Sequence, residues 1–440
     1  MAALLIVKKM YFLKSDFNGE LMSLDHLRHL IASRTAKIGL VTPDYTCLLL
    51  ARAFQAIGFR VITFEIDLEG AMFPRSRGGQ HSPEQSQSSW LNTADFEVVT
   101  DLQRLSDLDV ILIAIPYRLT ASRMVDLMAI TQVATKVSLG IRSGQLVVLT
   151  GCSPPGTTRA IVLPHLGIRL KPGADFSLAN SPNFENGLNP PTHRVVGGFD
   201  ADSLELASLL FEQIHTPVKR VSSLEAAEVC SAVGGVTRVV NAAIANELRM
   251  ICDRMDVDVR EILDACKPPE FLRLMPSIED CDPAAIVFAW GVRRYGISAR
   301  LVELANELNS GILAFILEKV TNSLNDAGKS LRNSKILVLG IEKTLDRAIE
   351  LMGTLMKKGA VVTYNDSYLA ELPKLPDRAD LSMSSTPLSS EFLQLQDCVL
   401  ITAKQPTCDY SFIVANSQLV VDTQDATREV TNNREKIVRI

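Results

Sequence analysis

Residues 37–67 read KIGLVTPDYTCLLLARAFQAIGFRVITFEID. Ile38 to Val41 is a short apolar run of strand length, Leu48 to Ile57 carries helical text, Gly58 supplies a stop, and Arg60 to Ile66 is a second apolar run. Strand, helix, strand predicts a βαβ unit with a parallel sheet. Outward from this unit, further strands are predicted at Val110 to Ile115, Leu146 to Leu149 and Val195 to Gly197. Residues 68–95 lose periodicity and run through Gly78, Gly79 and a Ser/Gln-rich stretch, which reads as a mobile surface insertion. From Ser222 to about Asn322 the text is nearly continuous helix, broken at Pro268, Pro269 and Pro276 to Pro283. Sheet text then restarts, with strands at Lys335 to Leu339, Val361 to Tyr364, Val399 to Thr402 and Leu419 to Asp422, a helix at Leu345 to Lys357 and a stop at Gly359. Before residue 37, the spacing of Leu21, Leu24, Leu27, Leu30 and Ile31 suits an amphipathic helix with Asp25 and Arg28 outward.

The fold class expected is therefore α/β: an extension at 1–36, a Rossmann-like domain at 37–221, a helical region at 222–330 and a second Rossmann-like domain at 331–440. At 440 residues the chain is long enough for two or three domains with their own cores. It is 47% hydrophobic and 22% charged, a globular profile, and its formal charge of −5 with no basic block gives no reason to expect nucleic acid or an anionic membrane as partner. No apolar stretch approaches the roughly 20 residues of a membrane span. The run Ala2 to Val7 precedes Lys8 and Lys9 instead of following them, unlike a secretory signal. The eight cysteines lack C-x-x-C or metal-like spacing and read as reduced thiols of a cytoplasmic protein, mostly small buried hydrophobes. His26 and His29 share a helix face but have no third ligand, so no metal site is expected. Ser153 and Ser181 lack the G-x-S-x-G setting of a hydrolase nucleophile, and Trp290 reads as a core or interface anchor.

The order and spacing of several segments resemble the nucleotide-sugar dehydrogenases, the family of UDP-glucose, UDP-N-acetylmannosamine and GDP-mannose dehydrogenases. The resemblance runs from about Lys37 to the C-terminus. It is carried by Lys37 to Ala51 with Gly58 to Asp67, Asp107 to Pro116, Pro155 to Thr158, Val195 to Gly198, Asn246 to Asp258, Ala299 to Asn306, and Lys335 to Gly340 with Gly359 to Asp366. It implies oxidation of a sugar C6 alcohol to a carboxylate with NAD, through a cysteine that captures the aldehyde and is then acylated, and a central helical region that forms the dimer. It also implies Lys and Asn side chains that stabilise the oxyanion.

Against that pattern the chemistry is altered. The dinucleotide loop, G-x-G-x-x-G in the family, is Thr42, Pro43, Asp44, Tyr45, Thr46, Cys47 here. Asp44 stands where backbone should touch phosphate, and a carboxylate about 4 Å from a phosphate costs roughly 4 kcal/mol at an effective dielectric of about 20. Glu65 matches the family's ribose-binding acid, or is a solvated strand-end carboxylate. The nucleophile should lie four residues before an Asp-Pro. Asp282 and Pro283 supply that pair, but Ile278 holds the thiol position, and the nearby Cys281 sits between Asp280 and Asp282, which would suppress its thiolate. Counting from Asn246, the catalytic lysine falls on Ser231 and the asparagine on Gly235. The threonine before Pro-Gly-Thr-Thr falls on Cys152 and the glutamate of Ser-Pro-Glu on Asn183, with Glu185 two residues on. Lys343 and Arg238 match substrate-binding positions, while the loop after Lys343 is shortened, shifting Arg347.

Three functions are thus in view. A pseudo-dehydrogenase would act by binding in a polysaccharide or glycoconjugate pathway, as a homodimer or as a heteromer with an active paralogue. An active UDP-sugar 6-dehydrogenase would use Cys281 with Asp282. A nucleotide-sugar sensor would keep only the C-terminal UDP-type site.

Overall fold

The computed structural model describes residues 24–41, 45–66, 97–114, 118–119, 125–182, 193–266, 283–341, 345–372 and 383–440. The expected insertion at 68–95 lies outside them. Ten strands come first: β1 (Lys37–Val41), β2 (Arg60–Phe64), β3 (Glu97–Val99), β4 (Val110–Ile113), β5 (Arg118–Leu119), β6 (Val125–Asp126), β7 (Leu146–Leu149), β8 (Ser177–Asn180), β9 (Arg194–Gly198) and β10 (Val218–Val221). Eight of them form one sheet in the order β10-β9-β8-β7-β4-β1-β2-β3, and β5 pairs with β6 apart from it. The sheet is parallel except where β9 runs against β8. Helix Tyr45–Ala56 makes the β1 to β2 crossover that the opening stretch predicts. Strand order reverses between β1 and β4, so the ligand crevice of such a sheet lies beyond the carboxyl ends of those two strands.

Side-chain alternation buries both faces. Ile38, Leu40, Val110, Leu112, Leu146 and Val148 join one core, and Val41, Ile111, Ile113, Val147 and Leu149 join the other. Helix Leu24–Ala32 belongs to the first of these cores through Leu27 and Ile31. Its partner is far off in sequence: Arg28 reaches Glu205 of helix Ala201–Glu212 at 2.8 Å.

The helical region consists of Leu224–Arg254, Val259–Cys266, Pro283–Val292 and Arg300–Asp326. After it, β11 (Lys335–Leu339), β12 (Val361–Asn365), β13 (Cys398–Ile401), β14 (Val420–Asp422) and β15 (Ile437–Arg439) form an all-parallel sheet in the order β12-β11-β13-β14-β15. Here too odd and even residues enter separate cores, Ile336 and Val338 on one face, Leu337 and Leu339 on the other. The predicted strands and helices of both sheets are present within a few residues. Strands β3, β5, β6, β8, β10 and β15 had no sequence prediction.

The cysteine expectation needs correction. Of six described cysteines only Cys252 and Cys398 are buried, Cys266 is exposed, and Cys152, Cys230 and Cys408 are intermediate. Cys230 and Cys266 lie on helices and Cys152 and Cys408 in loops, where they are not enclosed on every side. No helix of the described residues is long and apolar enough to cross a membrane.

Glycine placement allows a paired test of the packing. A Cβ on Gly197 in β9 would collide with the carbonyl of Ser223, where the sheet meets the long central helix. Gly311, within Arg300–Asp326, faces open space. Gly197→Ala is expected to lower stability by about 1–3 kcal/mol as an overpacked contact, whereas Gly311→Ala raises it by about 0.5–1 kcal/mol as a helix-interior glycine. Thermal unfolding of the two variants checks both signs.

Candidate functional site

The first sheet and the helical region meet at the loop Pro154-Pro155-Gly156-Thr157-Thr158, which follows β7. From the other side comes helix Leu224–Arg254, whose N-cap Ser223 accepts a hydrogen bond from the Ala226 N–H. Its carboxylate Glu228 is 1% exposed. Glu228 Oε2 accepts from the Gly156 N–H at 2.5 Å, and Oε1 accepts from the Thr158 N–H at 2.7 Å and the Thr158 hydroxyl at 2.6 Å. The Asn180 amide, at the end of β8, donates to the Thr158 hydroxyl at 3.0 Å. Burial pushes the Glu228 carboxyl above its ordinary value, and the three donors only partly offset it.

The loop is closed on a third side. Gly156 has φ +85, and a Cβ there would meet the Tyr295 hydroxyl at 2.5 Å. The Arg294 guanidinium donates to the Gly156 carbonyl at 3.0 Å. A Cβ on Gly291 would meet Pro155 Cδ at 2.7 Å, so helix Pro283–Val292 lies directly on the two prolines. Beyond the loop, Thr158–Val162 forms one π-helical turn, with the Leu163 N–H reaching back to the Thr158 carbonyl. At the rim Arg159 pairs with Glu225 at 2.5 Å; burial raises the Glu225 carboxyl, but the guanidinium together with hydrogen bonds at the helix N-terminus outweighs it and the net shift is downward.

Within this junction the Cys152 thiol lies 3.4 Å from the Ser231 hydroxyl, which donates to the Glu228 carbonyl at 2.7 Å. Gly235 is buried one turn further along the same helix, and Arg238, exposed, continues that stripe at the i+4 and i+7 spacing from Ser231. Glu65 is exposed immediately after β2, its N–H bonded to the Val99 carbonyl. Cys281, Asp282, Lys343, Asn183 and Glu185 lie outside the described residues. Arg347 is buried, with one guanidinium nitrogen on the Asn309 carbonyl at 2.6 Å and another on Glu350 at 3.1 Å. Ser181 is a scaffold group that accepts from Arg194 at 2.8 Å. No cluster of metal-ligating side chains occurs among the described residues.

Comparison with known proteins places this arrangement. Residues 36–215 match the UDP-glucose/GDP-mannose dehydrogenase family, NAD binding domain. Residues 36–215 thus carry the NAD-binding domain of that family, and the chain resembles the nucleotide-sugar dehydrogenases over more of its length. It is 25% identical over 300 residues to Protein CapL of Staphylococcus aureus, covering 63% of this chain and 70% of that relative. It is 30% identical over 231 residues to an NDP-N-acetyl-D-galactosaminuronic acid dehydrogenase of Ralstonia nicotianae, covering 48% and 54%. The chain thus spans from 54% to 70% of the length of these curated relatives. Among solved structures, a UDP-D-ManNAc dehydrogenase of Pyrococcus horikoshii superposes with a TM-score of 0.73 at 18% identity, covering 92% of this chain and 98% of that one. An NDP-N-acetyl-D-galactosaminuronic acid dehydrogenase of Methanosarcina mazei gives 0.73 at 20%, covering 94% and 97%. These likenesses establish the fold.

By family the cofactor of this nucleotide-sugar dehydrogenase relative is NAD. The donor set at the switch point does not fit its pyrophosphate. Between the end of β1 at Val41 and Gly58 there is no glycine, residues 42–51 include no Lys or Arg, and Asp44 places a carboxylate directly before helix Tyr45–Ala56. Glu65, which the resemblance gives to the ribose, is an acid as that resemblance expects.

Glu228 escaped the sequence reading although a signal was present. Leu224, Ala227, Glu228, Ala232 and Gly235 share one helical stripe, and an acid on an otherwise apolar stripe needs buried donors. Glu228→Ala leaves two buried N–H groups unpaired and is expected to cost about 1–3 kcal/mol for each. A carboxyl held above its ordinary value is protonated more readily in the folded chain. Its contribution to stability is therefore full below the ordinary glutamate range and is lost as pH rises through the raised folded value. Thermal midpoints across this range are expected to fall for the native chain relative to Glu228→Gln as pH rises; a constant difference contradicts the raised value.

Proposed function

We propose that this chain is a pseudo-dehydrogenase, binding a nucleotide sugar without oxidising it, beside an active paralogue in a polysaccharide or glycoconjugate pathway. The observation that carries the reading is the pair Cys152 and Ser231, thiol against hydroxyl at 3.4 Å. The family resemblance puts a threonine and the catalytic lysine at these two positions, and its asparagine at Gly235. Hydride loss from an alcohol or thiohemiacetal carbon develops charge on oxygen, and removing one preorganised donor costs about 10²–10³ in kcat. With lysine and asparagine both replaced, and a loop that repels pyrophosphate, oxidation is lost at the cofactor and at the reacting carbon together.

Binding remains open to such a protein. The second sheet keeps its glycine-ended first strand, with Gly340 at φ +77 and no room for a Cβ against the Ala403 carbonyl, and Lys343 follows three residues later. Lys343 and Arg238 are the residues assigned to the sugar nucleotide. The central helices also favour a partner chain: Val233 and Ile251 on one, Leu301 and Leu304 on the other, are 49% to 64% exposed. A homodimer or a heteromer with the active paralogue would cover them, and cytoplasmic residence belongs to the same reading.

Incubation of the chain with NAD and a panel of UDP- and GDP-sugars, followed by NADH absorbance, is expected to show no steady turnover, and Cys281→Ala to change nothing. Steady NADH formation abolished by Cys281→Ala would establish instead an active UDP-sugar 6-dehydrogenase working through Cys281 and Asp282.

A further inference from the structure

Helices Leu224–Arg254 and Arg300–Asp326 meet through apolar residues, with Val239, Ala243, Val302 and Ala305 in one core. A polar pair interrupts this contact. The Asn246 amide donates to Asn309 Oδ1 at 3.0 Å, and the Asn309 amide donates to the Val239 carbonyl at 3.0 Å. Asn246 is 1% exposed and Asn309 3%. The second sheet is attached at the same point. Helix Leu345–Lys357, which joins β11 to β12, carries Arg347, whose Nη2 donates to the Asn309 carbonyl at 2.6 Å. Asn309 thus belongs to one long helix, grips the other at two places, and receives the first helix of the second sheet.

These bonds differ in what they specify. A helix offers a carbonyl at every residue, so a guanidinium on a carbonyl leaves the register of the two elements free. A buried side-chain amide is satisfied only opposite another polar side chain or a reachable backbone group. From Val302 to Val320 the buried residues of the second helix other than Asn309 are Val302, Ala305, Ile312, Leu313, Phe315, Ile316 and Val320, all apolar. A slide of four residues, about 6 Å, would set Asn246 against Ala305 or Leu313 and leave its amide unpaired. A single polar pair inside an apolar helix contact selects one alignment in this way.

We propose that Asn309 is a positioning residue: paired with Asn246, it fixes one register between the two long helices and thereby one placement of the second sheet relative to the stripe of Ser231, Gly235 and Arg238. Glu228 fixes the first sheet on the same long helix, two-thirds of whose length separates it from Asn246. A ligand held by groups from both sides of the seam then meets them at one separation. In that consequence the inference rests on the binding half of the proposed function, which takes its groups from the long helix and from the second sheet.

The test replaces both asparagines, Asn246→Leu with Asn309→Leu, in the full chain. Exchanging both partners for apolar groups of similar shape is nearly neutral for stability, so the thermal midpoint is expected to stay or rise. Nitroxides on noncanonical residues at Thr237 and Lys357, both exposed, report the distance between the long helix and the second sheet by pulsed electron resonance, with labelled chain diluted into unlabelled chain. One narrow distribution is expected for the native chain, and for the variant a broadened one or one displaced by about 5–6 Å, a helical turn. A narrow, undisplaced distribution in the variant, or a broad one in the native chain, overturns the inference. Isothermal titration of the unlabelled chains with UDP separates the two readings. Binding that weakens about tenfold in the variant, as when a tenth of the molecules keep the competent register, supports both. Equal binding to both chains overturns the positioning role and spares the binding reading. No binding to the native chain overturns the binding reading, and the distances still decide the register. Should the double variant not fold, Asn246→Ala, which leaves Asn309 its bond to Val239, is expected to broaden the distribution in the same way, and a narrow one there overturns the inference.

Discussion

Everything at the junction of the first sheet and the helices is organised by the Glu228 carboxylate. It binds the backbone of Gly156 and Thr158 in a place from which water is excluded, so the loop after β7 and the helix Leu224–Arg254 have one relative position and not a range of them. Once that position is set, Gly156 and Gly291 must lack side chains, because Tyr295 and the two prolines occupy their flanks. The same register points Ser231 at Cys152 and aligns Gly235 and Arg238 above it. A family that oxidises alcohols would use this stripe for a cation and an amide. Here the stripe carries Ser231 and Gly235 at the positions that the resemblance gives to that cation and amide, with Arg238 beyond them.

The two sheets repeat one construction. The N–H that opens β1, at Lys37, donates to Asp109 at 2.8 Å, and the N–H that opens β11, at Lys335, donates to Asp397 at 2.7 Å. Each acid lies just before the neighbouring strand, β4 or β13, and tethers the start of the sheet at its centre. Arg142 is the cation on Asp109 at 3.2 Å, and Lys329 the one on Asp397 at 2.5 Å. After each first helix the chain turns at a left-handed glycine, Gly58 at φ +101 and Gly359 at φ +94, where a side chain would strain the backbone. These devices stabilise a parallel sheet whatever it binds, which is why they persist although Thr42, Asp44 and Cys47 have replaced the glycines of the cofactor turn.

The split between scaffold and chemistry gives the two carboxyl edges different characters. At the first, the sequence puts an acid, Asp44, at the turn position that the resemblance gives to pyrophosphate contact. At the second, Arg249 is buried on the Thr423 carbonyl, and burial, with the repulsion of Arg260, lowers its pKa to about 9. Both sheets reverse their strand order at their first strand, β1 or β11, and differ in the charge carried near their carboxyl edges.

The sequence by itself determined the βαβ units, the α/β class, the helical block and the family, because periodicity, glycine stops and segment order are local or additive along the chain. The loss of the glycine loop and of the lysine and asparagine was legible for the same reason. Four things were not. Strands Ser177–Asn180 and Glu97–Val99 are too short to show a period, and they are strands because Leu146–Leu149 and Arg60–Phe64 offer them free edges. The reversal of β9 against β8 is a choice of partner that no single segment encodes. The half-covered state of Cys152 and Cys408 depends on what packs over them. The burial of Glu228 and Arg249 was decided by the tertiary structure alone, since a charge is costly or useful according to the groups that reach it across 70 residues for Glu228 and Thr158, and 174 for Arg249 and Thr423.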